Sequence, residues 1–150
     1  LATEKAARGM VIGTHGSTYG GNPLAMAAGE AVLDAVANDE FLAQVRETSE
    51  RLRSRLEQFI GNYPELFELV RGKGLMLAIE FVSDRKSKTP AGKTYMAALA
   101  DAAYEAGALV RVSGNNMIMS PPLVLERKDS QAIVDAVTRA LETVRLDPAK

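Results

Sequence analysis

The chain has 150 residues, 47% of them hydrophobic and 25% charged, which places it in the ordinary globular range with material for one core of useful size. A net charge of -1, with no basic run or basic-aromatic stripe, excludes a surface that tracks the phosphates of a nucleic acid. No cysteine means no disulfide framework and no thiolate metal site, one histidine cannot build a zinc cluster, and no apolar run approaches the roughly 20 residues that cross a bilayer.

The first residues, starting at Leu1 rather than Met, read as a strand end and suggest a fragment. Asn22 and Pro23 then make a strong helix start, because Asn caps free backbone N–H groups and Pro suits the first helical position. The predicted helix runs from about Pro23 to Val36, and its small residues, among them Ala25, Ala28, Gly29 and Ala31, allow another backbone to approach closely. A second helix, from about Asp39 to Ile60, carries Phe41, Val45, Leu52, Leu56 and Phe59 at helical spacing. Together the two are expected to form a long, bent connector.

Asn62-Tyr63-Pro64 breaks the second helix, and Leu75 to Val82 is nearly all apolar, as a strand covered on both faces would be, with Gly72 and Gly74 at its entry. A helix from about Thr94 to Ala106 closes on Gly107, a residue suited to the left-handed cap. Ala108 to Ser113 and Met117 to Ser120 flank Gly114-Asn115-Asn116, and so predict a hairpin that Pro121-Pro122 terminates. The last helix, about Lys128 to Val144, aligns Ile133, Val137, Leu141 and Val144 on one face. This order predicts an α+β layer with a mostly antiparallel sheet and helices on one side.

The most distinctive stretch is GTHGSTYGGNP, from Gly13 to Pro23. Read alone, it is either a surface turn, in which glycine supplies unusual dihedrals and Ser and Thr cap the backbone, or an anion cradle. In the cradle, small residues expose N–H groups, Ser17 and Thr18 add hydroxyl donors, and the following helix points its positive end at the site. Spacing leaves both open: no Gly-Lys-Ser/Thr closes the loop as in a P-loop, and no βαβ unit surrounds it.

GTHGSTYGGNPLA resembles the loop and helix start of class III aminotransferases, the pyridoxal-phosphate enzymes that include acetylornithine, ornithine, 4-aminobutyrate and ω-amino acid transaminases. VRGKGLMLAIEF at Val70 to Phe81 resembles that family's Arg-Gly-x-Gly-Leu strand, and ALVRVSGNNMIMSPPLVL at Ala108 to Leu125 resembles its C-terminal hairpin. The resemblance covers nearly the whole chain. It implies the end of a fold-type I large domain at residues 1–22, connector helices at 23–60, and a small C-terminal domain at 61–150. It further implies a homodimer, a cytoplasmic setting consistent with the lack of cysteine, and transfer of an amino group from an amino acid or amine to a keto acid.

By the same resemblance, Thr18 matches the hydroxyl that binds the cofactor phosphate of the neighbouring subunit, with Ser17 beside it. Arg111 matches the movable arginine of ω-transaminases, which pairs with a substrate carboxylate in one half-reaction and swings away in the other. A guanidinium suits that task, since its planar fork binds a carboxylate bidentately from a flexible stem. Read without the family, Arg111 is a strand-edge arginine paired with a surface Glu. His15 is expected to brace the loop by a hydrogen bond, and Met117 and Met119 to pack in the small-domain core or line its surface toward the active site.

The sequence also departs from the family. Where acetylornithine and ornithine enzymes carry a carboxylate-binding arginine three positions before the Pro-Pro pair, this chain has Ile118. The first half therefore resembles acetylornithine aminotransferases, the second half ω-amino acid or amine:pyruvate transaminases. In the family the lysine that carries the cofactor lies upstream of the matched region, and Lys5, Lys73, Lys86, Lys88 and Lys93 do not sit in its motif. The chain alone is thus expected to supply binding contacts and no chemistry, and to be inactive. The alternatives are a non-catalytic α+β interaction or regulatory module, and an unrelated phosphate-binding protein using the loop alone.

Overall fold

The computed structural model describes residues 2–144 in two units, the first ending at Phe41 and the second beginning at Leu42. In the first, a short helix α1 (Glu4–Ala7) occupies the place where a strand end is expected, capped by the Thr3 hydroxyl on the Ala6 N–H. Its four residues carry no periodicity that a sequence pattern could show. Helix α2 (Pro23–Val36) starts and stops as its residues predict: the Asn22 side chain accepts from the Ala25 N–H at 2.9 Å, and Pro23 occupies the first turn. No residue of α2 is buried.

Helix α3 (Asp39–Gly61) follows after Asn38, whose side-chain oxygen accepts from the Phe41 N–H at 2.7 Å. Within the second unit, α3 contributes Leu52, Leu56 and Phe59 to the core. The sheet has the order β1 (Phe67–Lys73), β2 (Met76–Asp84), β5 (Asn116–Met119), β4 (Arg111–Ser113), with the two-residue β3 (Thr89–Pro90) paired to β2, and every pairing is antiparallel. Helices α4 (Lys93–Glu105) and α5 (Arg127–Thr143) complete it.

The alternation along β2 decides which face is covered. Leu77, Ile79 and Phe81 are fully buried, and register places Leu77 opposite Met119 and Ile79 opposite Met117, both also buried. These side chains share one cluster with Leu52, Leu56 and Phe59 of α3, Tyr95, Met96 and Leu99 of α4, and Val134 and Val137 of α5. The helices therefore line one face of the sheet, and Met117 and Met119 pack in the core as expected. Each fully buried Leu, Ile, Phe or Met contributes on the order of 1.5–3 kcal/mol. Phe67 and Phe81 meet edge-to-face, with ring centroids 4.6 Å apart.

Two features correct the expected strand order. LMLAIEFV buries Leu77, Ile79 and Phe81 on one face, leaves Met76 exposed on the other and buries both faces only at its end, where Val82 is also covered, and it is the second strand of a hairpin whose first strand, β1, the sequence pattern does not show. A bulge between Phe67 and Val70 breaks the two-residue alternation of β1, and this hides it. Gly72 lies inside that strand rather than at an entry turn, with φ 131°. A Cβ there would run into the Met76 carbonyl oxygen and Leu77 Cα, so only glycine lets the two strands approach. The hairpin is tied to α3 by the Ser49 hydroxyl, which donates to the Gly74 carbonyl, and by the Arg53 guanidinium, which donates to the Gly72 carbonyl, both at 2.6 Å.

Candidate functional site

Ser17 and Thr18 lie in the first unit and Arg111 in the second. The loop from Gly13 to Asn22 is built by its own short-range hydrogen bonds. The Thr14 hydroxyl donates to the Val11 carbonyl at 2.7 Å, the Ser17 Oγ accepts from the Gly20 N–H at 2.9 Å, and the Asn22 amide donates to the Tyr19 carbonyl at 2.7 Å. Gly13 and Gly21 have φ values of 87° and 79°, which favour glycine. A Cβ on Gly20 would meet Ser17 Oγ at 2.9 Å, so the Ser17 turn and the small residue at 20 require each other.

Ser17 uses its oxygen as acceptor and keeps its O–H for an external acceptor, while the Thr18 hydroxyl makes no hydrogen bond among the described residues. Both are exposed. An array of hydroxyl and backbone donors with no carboxylate between Gly13 and Asn22 fits a phosphate. His15, expected to brace the loop, is exposed and makes no hydrogen bond among the described residues; Thr14, Ser17 and Asn22 do the bracing instead.

In the second unit, Gly114 (φ 60°) closes the β4–β5 hairpin and fixes its register: Arg111 opposite Ile118, Val112 opposite Met117, Ser113 opposite Asn116. Val112 shares the inward face with Met117, so Arg111 points to the face that the helices leave uncovered. Across that face one row runs Arg71, Ala78, Ile118, Arg111 from β1 to β4. Arg71 is ion-paired with Glu80 on the neighbouring strand. Arg111 is exposed, and among the described residues it makes neither an ion pair nor a side-chain hydrogen bond. No surface Glu pairs with it among the described residues. Arg111 lines an open hollow of about 760 Å³ together with Met76, Val112, Ile118 and Ser120.

The shifted titrations lie away from both places. Hydrogen bonds from Lys88 hold Glu68 below the usual carboxylate range, those from Ser87 do the same for Asp84, a bond to Glu126 raises Lys128, and burial raises the Tyr95 hydroxyl. No group of three or more metal-ligating side chains occurs among the described residues. Neither does a helix long and apolar enough to cross a membrane.

Residues 1–141 match the family model Aminotransferase class-III. The chain belongs to the class III aminotransferase family. It is 41% identical over 145 residues to the acetylornithine aminotransferase of Agrobacterium fabrum, covering 94% of this chain and 34% of that protein. It is 34% identical to the mitochondrial acetylornithine aminotransferase of Saccharomyces cerevisiae, covering 96% and 32%. Among solved structures, an amine transaminase from an uncultivated Pseudomonas species in its PLP-bound form superposes with a TM-score of 0.76 at 37% identity, covering 87% of this chain and 30% of that one. The ω-transaminase of Pseudomonas jessenii in complex with PMP gives 0.76 at 32% identity, covering 92% and 30%. The chain thus spans about a third of the length of the relatives it matches. The two relatives compared by sequence are acetylornithine aminotransferases, and the two solved structures are an amine transaminase and an ω-transaminase.

Proposed function

We propose that this class III chain is the C-terminal portion of a pyridoxal-phosphate-dependent aminotransferase that moves an amino group from an amino acid or amine to a keto acid. The observation that carries this reading is Arg111, an exposed guanidinium with no acidic partner among the described residues, lining a hollow with apolar walls. Such a group is held ready for an anion from outside the chain, and a carboxylate matches its fork. The cofactor, when bound, supplies the electron sink for proton removal from the donor carbon.

What this chain's residues do is bind and orient. Ser17 and Thr18 donate hydrogen bonds to the cofactor phosphate, in trans across a homodimer. Arg111 takes the substrate carboxylate and releases the site to an uncharged amine by swinging its stem aside. Ile118 leaves the β5 position opposite it without a second guanidinium. Both grips are orientation terms, which convert encounter into productive geometry. Residues 1–22 belong on this reading to the large domain, 23–60 to the connector and 61–150 to the small domain, in a cytoplasmic enzyme.

The test is amino transfer by the complete protein, loaded with pyridoxal phosphate and offered acetylornithine, an ω-amino acid or an arylalkyl amine with pyruvate as acceptor. Transfer from at least one donor is expected. Absence of transfer from all three, by protein that retains the cofactor, contradicts the reading. The 150-residue chain by itself is expected to give none.

A further inference from the structure

Strand β4 ends the sheet order β1-β2-β5-β4, and the first of its three residues is Arg111. Val110 and Val112 pack partly against the core and decide which face Arg111 takes, but they do not fix where the hairpin stands along β2. That is set at its tip. Beyond the last β2–β5 pair, Glu80 opposite Asn116, the Phe81 N–H donates to the Asn115 carbonyl at 2.9 Å, and the Asn115 side-chain amide donates to the Phe81 carbonyl at 2.7 Å. A hydrogen-bonded pair in an antiparallel ladder exchanges two backbone bonds; here the side chain supplies the second. Phe81 is fully buried, and its carbonyl also accepts from the Ala91 N–H at 3.2 Å, so the tip is tied to a fixed point of the core.

The Asn115 amide is held in its donating orientation by its neighbour. The Asn116 side chain donates to Asn115 Oδ1 at 3.2 Å, which turns the Asn115 nitrogen toward Phe81. Asn116 Oδ1 is left buried with no hydrogen-bond partner among the described residues. A buried acceptor without a donor is costly, and the orienting bond made by the other end of the same amide is a physical reason for keeping it.

We propose that Asn115, oriented by Asn116, is a positioning residue for the carboxylate grip: it pins the β4–β5 hairpin to β2 and so fixes the point from which the Arg111 stem reaches. This rests on Arg111 as the carboxylate anchor proposed above, and it adds what holds that anchor in place. Orientation is lost with displacements of about 1 Å, so a loosened tip weakens carboxylate binding and leaves an uncharged amine unaffected.

The experiment is single-turnover kinetics of the complete enzyme, loaded with pyridoxal phosphate, with pyruvate and with an arylalkyl amine. Asn115→Ala is expected to weaken the apparent affinity for pyruvate about two- to tenfold, with the limiting rate and the amine half-reaction little changed. Asn115→Asp keeps the shape without the donor and is expected to match it, and so is Asn116→Ala, which removes only the orienting amide. In an Arg111→Ala background, Asn115→Ala is expected to add no further loss toward pyruvate. Native pyruvate affinity in both Asn115→Asp and Asn116→Ala overturns the proposal, as does an equal loss toward both substrates or a full additional loss in the Arg111→Ala background. The anchor fails separately: if Arg111→Ala by itself leaves the pyruvate half-reaction unchanged, the anchor falls and this proposal with it, whereas a selective loss in Arg111→Ala and none in Asn115→Ala overturns the proposal alone.

Discussion

Arg111 on β4 stands directly opposite Ile118 on β5, so the guanidinium and the branched aliphatic side chain share the uncovered face of the sheet. The pairing gives that face one anion-binding group beside an apolar neighbour. A second arginine at 118 would compete for the same carboxylate. Ile118→Arg is expected to retain the fold, because Ile118 is only half-buried, and to shift the complete enzyme toward donors with two separated carboxylate or amide groups. Steady-state kcat/KM for acetylornithine against an arylalkyl amine checks it, and an unchanged ratio counts against the role of this position.

Thr18 acts on a different partner. If its hydroxyl holds the cofactor phosphate, Thr18→Val removes one hydrogen bond to a charged group, worth about 1.5–3 kcal/mol, or roughly a 10- to 150-fold loss of cofactor affinity. The loss is expected to lower activity toward every substrate by the same factor and to be reversed by excess cofactor. Selective loss toward one substrate class contradicts the phosphate role.

The β1–β2 hairpin offers two glycines with opposite demands. Gly72→Ala forces a Cβ into the Met76 carbonyl oxygen at φ 131°, whereas at Gly74, φ 58°, a Cβ meets nothing. Gly74→Ala is expected to cost about 1–2 kcal/mol from the left-handed conformation alone. Gly72→Ala is expected to cost more, because the two strands must also separate. Urea midpoints compare them, and equal midpoints would show that the close approach does not limit the hairpin.

Asp84 shapes the turn after β2, accepting from the Ser87 N–H at 2.7 Å and the Ser87 hydroxyl at 2.8 Å. These bonds lower its pKa in the fold, so the stability they give is present above the ordinary value of 3.8 and is lost as pH falls through the lower folded value. Asp84→Asn is expected to remove that part of the acid dependence. An unchanged acid limb in thermal melts contradicts it.

Helix α2 presents Leu24, Met26, Val32 and Leu33 to solvent, interrupted only by Glu30 and Asp34 among its charged residues. Apolar surface of this extent drives association. Sedimentation of the 150-residue chain is expected to show self-association that Leu24→Lys with Leu33→Lys reduces, whereas a clean monomer at high concentration counts against it.

Much of this was legible in the residues, and the exceptions have physical causes. Asn22-Pro23 marked the start of α2, Gly107 (φ 100°) the end of α4, and Gly114 the β4–β5 turn, because each position demands a residue type that few others satisfy. Strand β1 was not legible, since its bulge breaks the alternation. The loop donors at Ser17 and Thr18 were visible in composition. The unfilled donor capacity of Arg111 was not, because it depends on cross-strand register, which joins residues that are far apart in sequence. Met76 escaped notice for the same reason: only the sheet order β1-β2-β5-β4 carries it to the face that Arg111 occupies.

The most direct measurement is single-turnover kinetics of the complete enzyme with Arg111→Ala, run separately with a keto acid and with an uncharged arylalkyl amine. Removing the charged partner of a bound carboxylate costs on the order of 2–4 kcal/mol, so the keto-acid half-reaction is expected to fall about 30- to 1000-fold while the amine half-reaction changes little. Equal losses in the two half-reactions would contradict the account and return Arg111 to a structural role.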